Sequence, residues 1–212
     1  MSDTPDLKKL LFFIEIPAGS SIKYEIDEDT GLLMADRFLH TQMTYPTNYG
    51  FIMGTEGKDG DPVDALVLSS QPVAPGVGMK GHLIGVLEME DEEGSDNKMI
   101  AVPDKKVDPI FGAYESIEDV PQHIKDVIKH FFDHYKELEK GKFVKTHEFK
   151  SREDAEKEVA ESFVEGDDDS EDDCCCGEYS CDSCNGEKSC EHCCQECCKN
   201  CCDEKHEHSA GK

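Results

Sequence analysis

What most narrows the folds open to this chain is a change of period. Up to about residue 103 the apolar residues fall in short runs punctuated by Gly, Pro and acidic turns; from about residue 117 they recur at helical spacing. Ile22-Lys23-Tyr24-Glu25-Ile26-Asp27 alternates strictly, which predicts a half-buried strand with Ile22, Tyr24 and Ile26 on one face. Thr30-Gly31 turns the chain, and residues 32–38 read as the returning strand of a hairpin. Before it, Leu10-Leu11-Phe12-Phe13-Ile14-Glu15-Ile16-Pro17 is a β-rich run closed by proline and interrupted by Glu15. Residues 65–68, 82–89 and 98–102 add further strands, so the order favours a small antiparallel barrel. A helix is expected from residue 117, with acids and Pro121 near its start, Ile124, Val127, Ile128, Phe131, Phe132, Tyr135 and Leu138 along one face, and Gly141 ending it. Residues 143–145 read as a short connector, and residues 151–163 as a second helix with Ser151 as cap and Asp154 in the capping-box position. The class is α+β, with a domain at residues 1–164.

Charge and cysteine placement exclude several roles. A formal net charge of −26 argues against nonspecific nucleic-acid binding and against anionic membrane surfaces. No apolar run approaches the ~18 residues that span a bilayer, and the N-terminus shows no secretory pattern. All twelve cysteines lie between Cys174 and Cys202. A main domain free of cysteine fits a reducing, cytoplasmic location.

The chemistry concentrates in Asp59-Gly60-Asp61-Pro62-Val63-Asp64. Gly60 permits a tight or left-handed turn, while Pro62 stiffens it and extends Asp61. Asp64 then leads the run Ala65-Leu66-Val67-Leu68, sharing a strand face with Leu66 and Leu68. Three crowded carboxylates read either as a solvated acidic turn or as a seat for a hard divalent cation, for which oxygen-only ligands suit Mg²⁺ or Mn²⁺. A second acidic loop spans residues 90–96.

These motifs, with Glu15-Ile16-Pro17, Ile22-Lys23-Tyr24-Glu25, Asp36-Arg37, Tyr45-Pro46-Thr47-Asn48-Tyr49-Gly50, Ala101-Val102-Pro103 and His130-Phe131-Phe132-Asp133-His134-Tyr135-Lys136, closely resemble the bacterial-type family I soluble inorganic pyrophosphatases, over roughly residues 12–163. The resemblance implies an OB-like five-stranded antiparallel barrel with flanking helices and Mg²⁺-dependent hydrolysis of pyrophosphate to two phosphates. It also implies a homo-oligomer, a trimer or hexamer. By resemblance, Asp59, Asp64 and Asp96 hold the activating metals, with Asp64 bridging, and Asp91 holds a further one. Asp61 is the candidate base for the attacking water. Lys23, Arg37, Tyr49 and Tyr135 bind phosphate, Lys98 and Lys136 assist the leaving phosphate, and Glu15, Glu25 and Tyr45 line the site. For Tyr49 and Tyr135 an aromatic-core role remains open from the residues alone. His130 and His134 read either as subunit contacts or as ordinary half-exposed histidines. Met53-Gly54 stands where many members have a proline, which implies a softer loop before Asp59.

Residues 165–212 depart from that family. Residues 165–173 read as an acidic linker and residues 174–212 as a cysteine-rich tail, expected to be disordered or ordered by metal. Cys190, Cys193, Cys194, Cys197, Cys198, Cys201 and Cys202 would form one thiol stripe on a helix of ~3.6 residues per turn. Three readings stand: soft-metal binding of Zn²⁺ or Cu⁺ with His192, His206 and His208 nearby, redox or lipid chemistry on the thiols, and a low-complexity extension. Two classes of function follow. One is a pyrophosphate-hydrolysing enzyme with an appendage; the other is a metal-buffering tail on an idle scaffold. The intact carboxylates and cations favour the enzyme.

Overall fold

The computed structural model describes residues 6–57, 60–92 and 94–164. The linker and tail lie outside the described residues, as do Asp59 and its neighbour Lys58. Strands β1 (Leu10–Ile16), β4 (Asn48–Ile52), β5 (Asp64–Val67), β6 (Val77–Asp91), β7 (Gly94–Ser95), β8 (Lys98–Pro103) and β9 (Val144–Lys150) form one sheet, while β2 (Ile22–Ile26) and β3 (Leu33–Phe38) form a separate hairpin. Two helices follow, α1 (Gln122–His134) and α2 (Arg152–Ser162). The molecule is mostly sheet with a few helices. No helix among the described residues is long and apolar enough to cross a membrane.

Pairing runs from β1 to β4, β5, β8 and β6, and β6 pairs back with β1, which is consistent with an OB-like barrel. One pair departs from the antiparallel expectation. β5 and β8 run parallel, with Ala65 opposite Met99 and Val67 opposite Ala101. Parallel neighbours need a crossover; here the long strand β6 supplies it and then turns back through the β7 hairpin into β8. Gly50 marks the tightest approach inside the sheet, because a Cβ there would sit 1.8 Å from the Phe13 carbonyl oxygen.

The core forms in two clusters. Leu66, Leu68, Ile84, Leu87, Ile100 and Val102 pack with Ile128, Phe131 and Phe132 of α1. Phe12, Ile14, Ile52, Val67, Leu83 and Met99 pack with Ala155 and Val159 of α2. Each fully buried Phe, Ile or Leu contributes roughly 1.5–3 kcal/mol. Leu66 and Leu68 fall in the α1 cluster, so the face they share with Asp64 is the α1 side.

Three expectations need correction. Residues 143–145 are not a connector: Val144 begins the seven-residue strand β9, which pairs with β6. Its solvent-side Lys and Glu residues hide the apolar alternation. The acids before α1 fall in a short 3₁₀ turn, Ile117–Asp119, and Asp119 accepts the backbone N–H groups of Glu115 (2.8 Å) and Ser116 (3.1 Å). Finally, α1 stops at His134 rather than Gly141, and Leu138 is 63% exposed. Beyond Tyr135 the chain continues in single turns, with Glu139 N–H bonded to the Lys136 carbonyl at 2.8 Å. The second helix matches its expectation: Ser151 and Asp154 form a reciprocal capping box.

Candidate active site

The site begins where the parallel pair begins. Asp64 opens β5 and Lys98 opens β8, and their strands share polarity, so both side chains leave from the same end of the sheet. Lys98 is 3% exposed, and its ammonium forms ion pairs with both Asp64 and Asp96. Across on β4, the Tyr49 ring lies 5.7 Å from that ammonium, a cation–π distance. Burial alone would lower the Lys98 pKa, but the two carboxylates outweigh it and hold the group charged.

The other wall comes from the end of α1 and from the hairpin. Tyr45 packs on Phe131 at 4.8 Å, and Phe131 stacks on Tyr135 at 5.0 Å. Lys136 Nζ meets Asp91 at 3.0 Å. On the hairpin, Lys23 sits opposite Arg37 in register. Lys23 pairs with Glu25, and Arg37 bonds Asp36 through Nε and Glu139 through a terminal nitrogen, each at 2.6 Å. A small polar pocket is lined by Lys23, Arg37, Leu39, Tyr135, Lys136 and Glu139. A larger cavity of about 260 Å³, walled by Leu68, Phe111, Ile124 and Ile128, contains none of the sequence-predicted site residues.

The electrostatics are those of a site with excess negative charge. Burial first, then Asp64 and Glu25, push the Glu15 carboxyl up to about 7. Burial raises Asp96, and Asp64 and Asp91 add to the effect against the opposing pull of Lys98. Burial also raises the phenols of Tyr45, Tyr49 and Tyr135, with Asp64 contributing to each, so all three stay protonated donors.

Most sequence-predicted residues therefore meet around two adjoining centres. Asp64, Asp96, Lys98 and Tyr49 form one, and Lys23, Arg37, Tyr135, Lys136 and Asp91 the other. Glu15 and Tyr45 lie electrostatically between them. Asp61 is exposed on the acidic turn, and its carbonyl accepts the Gly57 N–H at 2.6 Å. Asp59 lies outside the described residues. Among the described residues, no three carboxylate, histidine or cysteine groups gather closely enough to hold a metal ion by themselves. The donor set still fits a hard cation. Two carboxylates converge on a single positive point, the candidate ligating atoms are all oxygen, and the neighbouring acids are under-neutralised.

Sequence reasoning missed Glu139 and the pair Asn97 and Glu158. Glu139 was hidden by reading α1 through to Gly141. Asn97 sits between Asp96 and Lys98, and its amide donates to both carboxylate oxygens of Glu158 at 3.1 and 3.0 Å. Nothing local in the sequence signals a partner that far along the chain. Asn48, part of an aromatic motif, proves structural: its Oδ1 accepts the N–H groups of Ala18 (3.1 Å) and Val73 (2.8 Å).

Comparison with known proteins gives the family. The family model for inorganic pyrophosphatase matches residues 12–165. The chain is 55% identical to an inorganic pyrophosphatase of Thermoplasma volcanium over 149 residues, covering 70% of this chain and 88% of that protein. It is 50% identical to one of Aeropyrum pernix over 163 residues, covering 77% and 91%. The solved structure of inorganic pyrophosphatase from Helicobacter pylori superposes with a TM-score of 0.72 at 47% identity, covering 74% of this chain and 93% of that one. The chain belongs to the inorganic pyrophosphatases, enzymes that hydrolyse inorganic pyrophosphate.

Proposed function

We propose that hydrolysis here depends on Mg²⁺, with Mn²⁺ able to substitute, and that Asp59, Asp64 and Asp96 are its carboxylate ligands, with Asp91 serving a further ion. The observation that supports this most is the convergence of Asp64 and Asp96 on one cationic point at the mouth of β5 and β8. Mg²⁺ bound there supplies Lewis-acid charge and brings the pKa of water towards neutrality. Asp61, exposed on the turn beside these ligands, takes the proton of the attacking water. Lys23 and Arg37 hold phosphoryl oxygens, Arg37 through its planar fork. Tyr49 and Tyr135 donate to the same oxygens, because burial keeps them protonated. Lys98 and Lys136 oppose the charge that grows on the departing phosphate. Glu15, Glu25 and Tyr45 complete the polar lining. The balance is one pyrophosphate and one water in, two phosphates out.

The test is phosphate release with and without Mg²⁺ on the full chain under reducing conditions, alongside Asp61→Asn. That variant is expected to lose about 10²–10⁴-fold in turnover while keeping its fold. Full activity in it would remove Asp61 as the base. The working unit in this reading is a trimer or hexamer of residues 1–164, to be checked by sedimentation.

The tail carries a second function in this reading. Residues 165–173 are the linker and residues 174–212 bind soft ions such as Zn²⁺ or Cu⁺, supported by the Cys-x-x-Cys-Cys repeat from Cys190 to Cys202. Zinc titration of the full chain against a chain ending at Val164 tests this. Equal zinc uptake by both would sink it.

A further inference from the structure

Both centres of negative charge that face Lys98 are tied to the same helix. On one side, Asn97 Nδ2 donates to Glu158 of α2 at 3.1 and 3.0 Å, and Asn97 Oδ1 accepts the Met89 N–H at 3.2 Å. Asn97 is thus pinned between β6 and α2, and its chain neighbours are Asp96 and Lys98. On the other side, the end of α2 pairs with the segment that leads into the acidic turn. The Glu56 N–H donates to the Ser162 carbonyl at 2.7 Å, the Val164 N–H to the Gly54 carbonyl at 3.3 Å, and Thr55 bridges to Phe163. The buried Thr55 hydroxyl then closes the base of that turn: it donates to the Ile52 carbonyl at 2.7 Å and accepts the Val63 N–H at 3.0 Å. Val63 is the residue before Asp64. Helix α2 is itself anchored by Ala155 and Val159, both fully buried against the sheet.

We infer that α2 is a brace that sets the separation of Asp64 and Asp96, with Glu158, Asn97 and Thr55 as positioning residues for divalent-cation binding. None of the three is a cation ligand in this reading, since their side chains bond other protein groups. Each acts through a neighbour: Asn97 on Asp96 and Lys98, Glu158 on Asn97, and Thr55 on Asp64. The inference rests on the reading of Asp64 and Asp96 as cation ligands. Partners of this kind, one step removed from the ligands, typically change metal affinity by about 10–100-fold when lost.

The test is Mn²⁺ titration calorimetry on the full chain, with thermal melting in chelator as a separate readout. Glu158→Ala and Glu158→Gln remove the same charge, but only Gln keeps an acceptor for Asn97. Glu158→Ala and Asn97→Ala are expected to weaken Mn²⁺ binding about tenfold, with Glu158→Gln close to the parent. Thr55→Val is expected to weaken it comparably, with Thr55→Ser close to the parent. Glu156→Gln, which removes an ion pair with Arg152 within α2, is expected to leave affinity unchanged. Equal affinity in Glu158→Ala and Glu158→Gln overturns the brace. So does a loss in every variant, Glu156→Gln included, that follows the melting temperature. If Asp64→Asn binds Mn²⁺ as the parent does, the ligand reading itself fails and the brace falls with it.

Discussion

The two halves of the site are built on opposite terms. At the mouth of β5 and β8, one cation is 3% exposed and locked between two carboxylates, Asp64 on β5 of the main sheet and Asp96 in the turn between β7 and β8. On the β2–β3 hairpin, a separate two-stranded sheet, the side chains of Lys23 and Arg37 are 25% and 32% exposed and pair with Glu25, Asp36 and Glu139. Breaking a buried pair by deleting one partner costs about 3–5 kcal/mol, whereas exposed pairs are worth ~0–1 kcal/mol. The inner half is therefore expected to hold one geometry more firmly than the outer half. In the proposed mechanism, rigid placement of charge would serve the chemical step and more exposed cations would serve capture.

That contrast can be broken in several places. Lys98→Met should have the largest effect, a fall in kcat of about 10²–10³-fold, because a fixed donor is lost and Asp64 and Asp96 are left facing each other. A loss below tenfold in steady-state phosphate release would shift the chemistry towards the hairpin. Arg37→Lys should act differently: KM should rise on the order of tenfold with kcat nearly kept, since a fork is exchanged for a point charge. If kcat falls instead while KM holds, the hairpin belongs to the chemical step and the contrast disappears.

Glu15 tests the joint between the halves, since it feels Asp64 on one side and Glu25 and Lys23 on the other. Its folded-state pKa is raised to about 7 from 4.5, so the folded chain keeps this proton over that window. Stability from this group is complete below about 4.5 and is lost as pH rises towards 7. Glu15→Gln should flatten that decline in melting curves taken in chelator from acid to neutral pH. An unchanged slope would remove Glu15 from the joint. At the small end, Lys145→Ala on β9 breaks an exposed pair with Glu90 of β6. It should change stability by less than about 0.5 kcal/mol by urea denaturation. A larger loss would show that exposed pairs matter more here than the contrast allows.

Much of this was legible in residue order. The alternation of 22–27 gave the hairpin, Ser151 and Asp154 gave the start of α2, and the Asp64–Leu66–Leu68 spacing gave the buried face that carries a carboxylate. What escaped depends on distance along the chain. The parallel pairing of β5 with β8 follows from the course of β6, not from either strand's own pattern. Strand β9 has no clean alternation, because Lys145, His147 and Glu148 meet solvent. Glu139 and Glu158 look like ordinary surface acids until α1 ends early and α2 packs beside Asn97. Local rules register what neighbours do to one another, and these contacts join residues dozens of positions apart.

The parallel register has a consequence for how the protein can fail. Asp64 and Lys98 face each other because Ala65 is opposite Met99, and the same register buries Leu66, Val67, Ile100 and Ala101. A slip of one residue would turn every side chain of that strand to the wrong face. The acid would lose its ammonium in the same event that swapped Leu66 and Val67 between the α1 and α2 clusters, each into a space packed for other side chains. An assembly error at this pairing costs core packing together with the ion pair, so stability and site geometry are expected to fall together. A variant that is inactive but melts as the parent does is then expected to have these strands correctly paired.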